Sequence, residues 1–103
     1  MPIVATQTLP DGTTREQIQA VAAKIVAGGA PTGCISHTIY EEGGKFRVVD
    51  VWASEADLNA FAQDRLIPTI VEMAQAMGMD PSQLPQAEPP SIYEAVDYFP
   101  QGQ

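Results

Sequence analysis

The stretch Gly33-Cys-Ile-Ser-His-Thr-Ile-Tyr-Glu-Glu-Gly-Gly-Lys-Phe-Arg-Val-Val-Asp-Val-Trp-Ala53 decides how this chain is read. Two runs rich in β-branched and aromatic residues flank Gly43-Gly44, and a two-residue Gly-Gly loop supplies the positive φ angles of a tight type I′ or II′ hairpin turn. Around such a loop, paired residue numbers keep a constant sum. Glu42 then faces Lys45, Glu41 faces Phe46, Ile39 faces Val48, His37 faces Asp50 and Ile35 faces Trp52. Strand alternation puts Ile35, His37, Ile39, Phe46, Val48, Asp50 and Trp52 on one face, and Cys34, Ser36, Thr38, Tyr40, Arg47, Val49 and Val51 on the other. Pairs alternate outward from a hydrogen-bonded one beside the loop, so 37/50 is a non-hydrogen-bonded pair, the kind with closer side chains. The single histidine of the chain thus meets an aspartate beside the single tryptophan.

Working outward, residues 2–9 are β-prone and end at the turn signal Pro10-Asp11-Gly12. Their alternation sets Ile3, Ala5 and Gln7 against Val4, Thr6 and Thr8, and neither side is clearly apolar. Thr13-Thr14-Arg15-Glu16 reads as a capping box with Thr13 as the cap and Glu16 as its partner. Ile18, Val21, Ala22, Ile25 and Val26 recur at helical spacing, giving a first helix that Gly28-Gly29 ends and Pro31 keeps from resuming. Those glycines follow a helix and precede a strand, the reverse of a phosphate-binding turn. After the hairpin, Ser54 and Asp57 open a second helix whose apolar stripe is Leu58, Phe61, Ala62, Leu66, Ile70, Met73 and Met77. Pro68 removes a donor inside it and predicts a kink or break near 64–68. Gly78 closes that helix, proline-rich residues 79–90 form a connection, residues 91–99 read as the last strand, and residues 100–103 as a tail. The order β-α-β-β-α-β, without internal repeat, predicts an α+β, ferredoxin-like fold: a four-stranded antiparallel sheet with two helices on one face. The uncovered face carries Ile35, Ile39, Phe46, Val48 and Trp52 or their counterparts, an apolar patch that calls for a second subunit or an enclosed ligand.

At 103 residues the chain, 1–103, is a single domain, and 45% apolar with 17% charged residues describes a folded one. A net charge of −8 from thirteen acidic and five basic side chains repels nucleic-acid phosphates and anionic bilayers, so neither nucleic acid nor membrane is expected as a partner. One cysteine allows no internal disulfide, and one cysteine with one histidine makes no zinc cluster, so no metal is expected. With no leader-like N-terminus and no run near the roughly 20 apolar residues of a membrane span, a cytoplasmic location is expected.

The string Val51-Trp52-Ala53-Ser54-Glu55-Ala56, followed by Leu58, Phe61, Arg65-Leu66 and Pro68, resembles the antibiotic biosynthesis monooxygenase-like branch of the dimeric α+β barrel superfamily. The resemblance implies a homodimer whose two sheets face each other, with a ligand cavity between each sheet and its helices or the partner's loops. It also implies a choice of chemistries: cofactor-independent oxygenation of polycyclic phenols, haem degradation, small-ring isomerisation, or none. In the oxygenases and haem-degrading members a tryptophan matching Trp52 lines the pocket. The haem-degrading members need a helix-borne histidine and a first-strand asparagine. Positions 57–77 hold no histidine, and the first strand offers only Thr6 and Gln7, so no cofactor is expected.

The expected site therefore has His37 as base and Asp50 as its orienter. Trp52, Ile35, Ile39, Val48, Phe61 and Arg65 would contact a small apolar or aromatic molecule. Each role has a plainer rival. The pair can be a self-satisfying cross-strand contact, Trp52 simply core, and Arg65 a surface ion-pair partner near Asp64. Tyr40, Tyr93 and Tyr98 suit a dimer seam, Met73, Met77 and Met79 fill gaps near a helix end, and Cys34 is expected on the face opposite His37. Glu41, Glu42 and Glu94 have no fixed separation and make no glycosidase pair. Two functions stay open: a cofactor-independent monooxygenase or proton-transfer enzyme, or a dimeric small-ligand binder without chemistry.

Overall fold

Both residues of the Gly43-Gly44 loop have positive φ, 59° and 81°, the signature of a type I′ turn. In the computed structural model, which describes residues 2–80 and 89–98, this turn joins β2 (Cys34–Glu42) to β3 (Lys45–Trp52). Pairing follows the expected register through 42/45, 41/46, 39/48 and 37/50. It then breaks at a β-bulge, where Cys34 rather than Ile35 lies opposite Trp52 and Ser36 lies opposite Val51. Ile35 is the extra residue of the bulge, and one extra residue reverses the side on which every earlier residue of the strand falls. Cys34 consequently shares the face of Trp52, Asp50 and His37 instead of opposing them.

Strand β1 (Ile3–Thr8) lies antiparallel to β3, and β4 (Ser91–Glu94) lies antiparallel to β1, giving the sheet order β2-β3-β1-β4. This is the ferredoxin-like antiparallel sheet. The last strand ends at Glu94, short of the predicted Phe99, although the Ala95 amide still donates to the Pro2 carbonyl at 3.0 Å. Phe99, most of the 79–90 connection and the tail lie outside the described residues.

Helix α1 (Arg15–Ala27) is capped one residue later than expected, by Thr14: its hydroxyl accepts from the Gln17 amide at 3.1 Å, and the Gln17 side chain accepts from the Thr14 amide at 3.0 Å. Thr13 is unavailable because its amide and hydroxyl both donate to the Pro10 carbonyl, extending the preceding turn. Ile18, Val21 and Ile25 are half-buried, while Ala22 and Val26 face solvent. Ser54 caps α2 (Glu55–Phe61) through the Asp57 amide, as expected. The kink or break expected near 64–68 takes the form of a π-helical interruption rather than a gap in the helix. A π turn, Ala62–Leu66, inserts between α2 and α3 (Ile67–Ala76), and the Thr69 hydroxyl donates to the Arg65 carbonyl at 2.7 Å, supplying a donor beside the one proline lacks.

The helices lie on the face that carries Trp52, Asp50, Ala5 and Ile39, as the Trp52–Phe61 ring contact at 5.3 Å shows. The hairpin's apolar face is therefore the helix-covered one. What remains uncovered is Val4, Thr6 and Thr8, Ser36, Thr38 and Tyr40, Arg47, Val49 and Val51, with Ser91 and Tyr93, a more polar surface than expected. Trp52 is 1% exposed and is the one large side chain wholly buried among the described residues; the other buried apolar residues are Ala5, Ala74 and Ala95. Burying an indole of this size stabilises by several kcal/mol, and its truncation to alanine costs about 3–5 kcal/mol. A Lys24–Glu72 ion pair at 2.8 Å joins α1 to α3. No described helix is long and apolar enough to cross a membrane.

Candidate functional site

Two side chains of one sheet face converge on the carboxylate of a third, Asp50. His37 Nδ1 lies 2.6 Å from Asp50 Oδ1, and the Trp52 indole N–H donates to Asp50 Oδ2 at 3.4 Å. The turn register sets His37 opposite Asp50, and strand alternation puts Trp52 on the same side two residues on. The Asp50 side chain is 12% exposed, whereas that of His37 is about half exposed, at 52%. Burying polar oxygens is costly unless they are hydrogen-bonded, and here both carboxylate oxygens have a partner.

The Asp50 hydrogen bond raises the His37 pKa above the ordinary histidine value, and the aspartate's charge adds to it, against an opposing effect of partial burial. In the neutral ring Nδ1 carries the proton toward Asp50, which leaves Nε2 with the lone pair. The arrangement can accept a proton and hold the resulting imidazolium in place. Cys34, brought to this face by the bulge, has its thiol pKa raised, chiefly by burial and further by the charge of Asp50. It stays a neutral thiol near pH 7, its Sγ 3.6 Å from the Ser36 carbonyl.

The remaining expected contacts divide between two clefts. One, of about 240 Å³, runs between α1 and the hairpin and is lined by Arg15, Ile18 and Gln19 with Ile39, Tyr40, Glu41 and Phe46. The other, of about 200 Å³, is lined by Pro31, Thr32, Asp57, Ala60, Phe61, Asp64 and Arg65. Ile39 thus belongs to the first, and Phe61 and Arg65 to the second. Ile35, Val48, Trp52, His37 and Asp50 line neither; Trp52 stands behind Phe61. Arg65 does not make the ion pair considered for it. Its Nη2 donates to the carbonyls of Ile25 at 2.7 Å and Gly29 at 2.8 Å, closing the C-terminal end of α1. Arg15, Ile18, Gln19 and Glu41 line the first cleft, and no motif marks them in the sequence as cleft residues. The available signal was the right-handed β-α-β crossover, which returns α1 over the sheet. Among the described residues no group of three or more His, Cys, Asp or Glu side chains is placed to hold a metal ion.

The fold recurs in known structures. Rv0793 from Mycobacterium tuberculosis superposes with a TM-score of 0.59 at 20% identity, over 96% of this chain and 99% of that one. SnoaB, a cofactor-independent oxygenase from Streptomyces nogalater, superposes with a TM-score of 0.52 at 18% identity, over 97% and 95%. A candidate antibiotic biosynthesis monooxygenase from Chloroflexus aurantiacus gives 0.51 at 19%, over 94% and 93%. At these identities the likeness is one of fold alone. No protein-family model and no curated protein sequence matches the chain.

Proposed function

We propose that this protein is a homodimer that binds a small apolar aromatic or polyketide-like molecule and takes a proton from it. His37 serves as the base and Asp50 as its orienting partner. The observation carrying this reading is the 2.6 Å His37–Asp50 contact, with the carboxylate buried and half of the imidazole open to an incoming molecule. His37 Nε2 takes the proton of an acidic phenol or enol, and Asp50 stabilises the imidazolium that forms. The electron-rich anion left behind is the species that reacts with dioxygen, so oxygenation can follow without metal or flavin. The fold shared with a cofactor-independent oxygenase supports that second step. Ile39 contacts the ligand from the cleft between α1 and the hairpin, Phe61 and Arg65 offer the second cleft as the alternative seat, and Ile35, Val48 and Trp52 back them.

The test separates the two steps. Deuterium exchange into an anthrone or a naphthol, followed by NMR under nitrogen, reads proton transfer, and oxygen uptake in air reads oxygenation. The His37→Ala variant is expected to lower exchange by about 10²-fold or more, since positioned bases contribute about 10²–10⁴, with the assembly state unchanged. Exchange retained in that variant removes His37 from the base role.

A second reading, a non-catalytic dimer that binds a small ligand, is favoured by one observation: the linings of both clefts omit His37, Asp50 and Trp52. Binding of these probes without exchange by the unaltered protein selects it.

A further inference from the structure

We propose that the cleft between α1 and the hairpin reads a carboxylate on its ligand through Arg15, with Glu41 holding the guanidinium until that carboxylate arrives. The proposal deepens the reading of the clefts as ligand sites and is independent of whether His37 performs chemistry. Ile18 of α1 and Ile39 and Phe46 of the hairpin form apolar walls around about 240 Å³, room for a bicyclic aromatic body. Arg15 stands on the helix side and Glu41 on the strand side of the same cleft, joined by Arg15 Nη2 and Glu41 Oε1 at 3.3 Å. Their side chains are 66% and 47% exposed.

An ion pair this exposed and this long holds its partners weakly. A guanidinium has five N–H donors in a planar fork, and the Glu41 contact is made through Nη2, so other donors remain for a bidentate carboxylate. A carboxylate carried in by an apolar body exchanges one anion for another while Ile18, Ile39 and Phe46 gain cover. A neutral molecule of the same shape gains the cover alone. A phosphate dianion fits less well, since one guanidinium must hold it beside Glu41 in a chain of net charge −8. The geometry also orients the ligand. With its carboxylate at Arg15, its body lies along Ile39, and His37 is two residues further along β2 on the same face, about 7 Å away.

The probes are 2-naphthoate and its neutral isostere 2-naphthamide, titrated by calorimetry into the unaltered protein, Arg15→Gln, Glu41→Gln and His37→Gln. The expected result is about tenfold tighter binding of naphthoate than of naphthamide. Arg15→Gln should abolish that preference while naphthamide binding holds, and Glu41→Gln should tighten naphthoate several-fold. Equal binding of the two probes, binding of neither, or a preference that survives Arg15→Gln overturns the proposal. A naphthoate preference intact in His37→Gln supports it whatever the exchange assay says of His37, so the two readings fail separately.

Discussion

At the scale of single residues, the His37–Asp50 contact ties protonation to stability. The folded-state pKa of His37 is raised, first by the Asp50 hydrogen bond and then by the carboxylate's charge, while the unfolded chain titrates near about 6.5. A raised base contributes stability that is fully present below the unfolded value and is lost as pH rises through the folded one. Urea midpoints should therefore fall as pH climbs from about 6.5 through the folded value, and His37→Gln should flatten that dependence. A midpoint indifferent to pH in the unaltered protein would show that the pair contributes nothing to folding. The single Trp52 donates to the same carboxylate, so its fluorescence should titrate with the same midpoint. This contact was legible in the sequence, because Gly43-Gly44 fixes the register and the register puts 37 opposite 50. The side of the sheet was not legible. Alternation separates two faces without saying which one meets helices, and Ile3, Ala5 and Gln7 were as plausible on one side as on the other.

At the scale of elements, the departures from expectation share a cause: local patterns are periodic, and the structure inserts single residues into them. The bulge at Ile35 adds one to a period of two, the π turn adds one to a helical turn, and the cap shifts by one because Thr13 is bonded to Pro10. None of these insertions has a composition signature apart from Pro68. Where the chain enters β2, Gly33 has φ of 82°, and a Cβ built there would run into the Asp57 side chain at the start of α2. Gly29, with φ of 92°, has nothing within 4 Å of such a Cβ. Gly29→Ala should therefore cost about 1 kcal/mol for the backbone alone, and Gly33→Ala about 2 kcal/mol or more, since the displaced Asp57 lies in the first turn that Ser54 caps. Urea unfolding of the two variants measures the difference. Equal losses would mean that the approach of α2 to the strand entry carries no weight.

At the scale of the whole molecule, the element order β-α-β-β-α-β was enough to give a four-stranded sheet with both helices on one face, though not which residues that face carries, since short un-knotted connections leave few other arrangements. Its uncovered face holds Val4, Val49, Val51, Tyr40 and Tyr93 around Arg47. Arg47 Nη1 donates to the Thr8 hydroxyl at 3.2 Å, and its Nε lies 2.7 Å from Glu42 Oε1, near enough for an ion pair though not aligned as a hydrogen bond. The proposed homodimer closes on this face, and a standard interface takes about 800 Å² from each partner. Sedimentation should report a dimer at micromolar concentration, and Val49→Glu with Val51→Glu, both half-buried on that face, should give a monomer. A monomer from the unaltered protein would remove the sheet-to-sheet assembly. Among the described residues one indole and three alanines are all the apolar residues that are buried, so a lone protomer has little interior of its own. In the proposed assembly much of its cohesion is borrowed from its twin, and thinning the solution works on it as urea does: each tenfold dilution should lower the melting temperature.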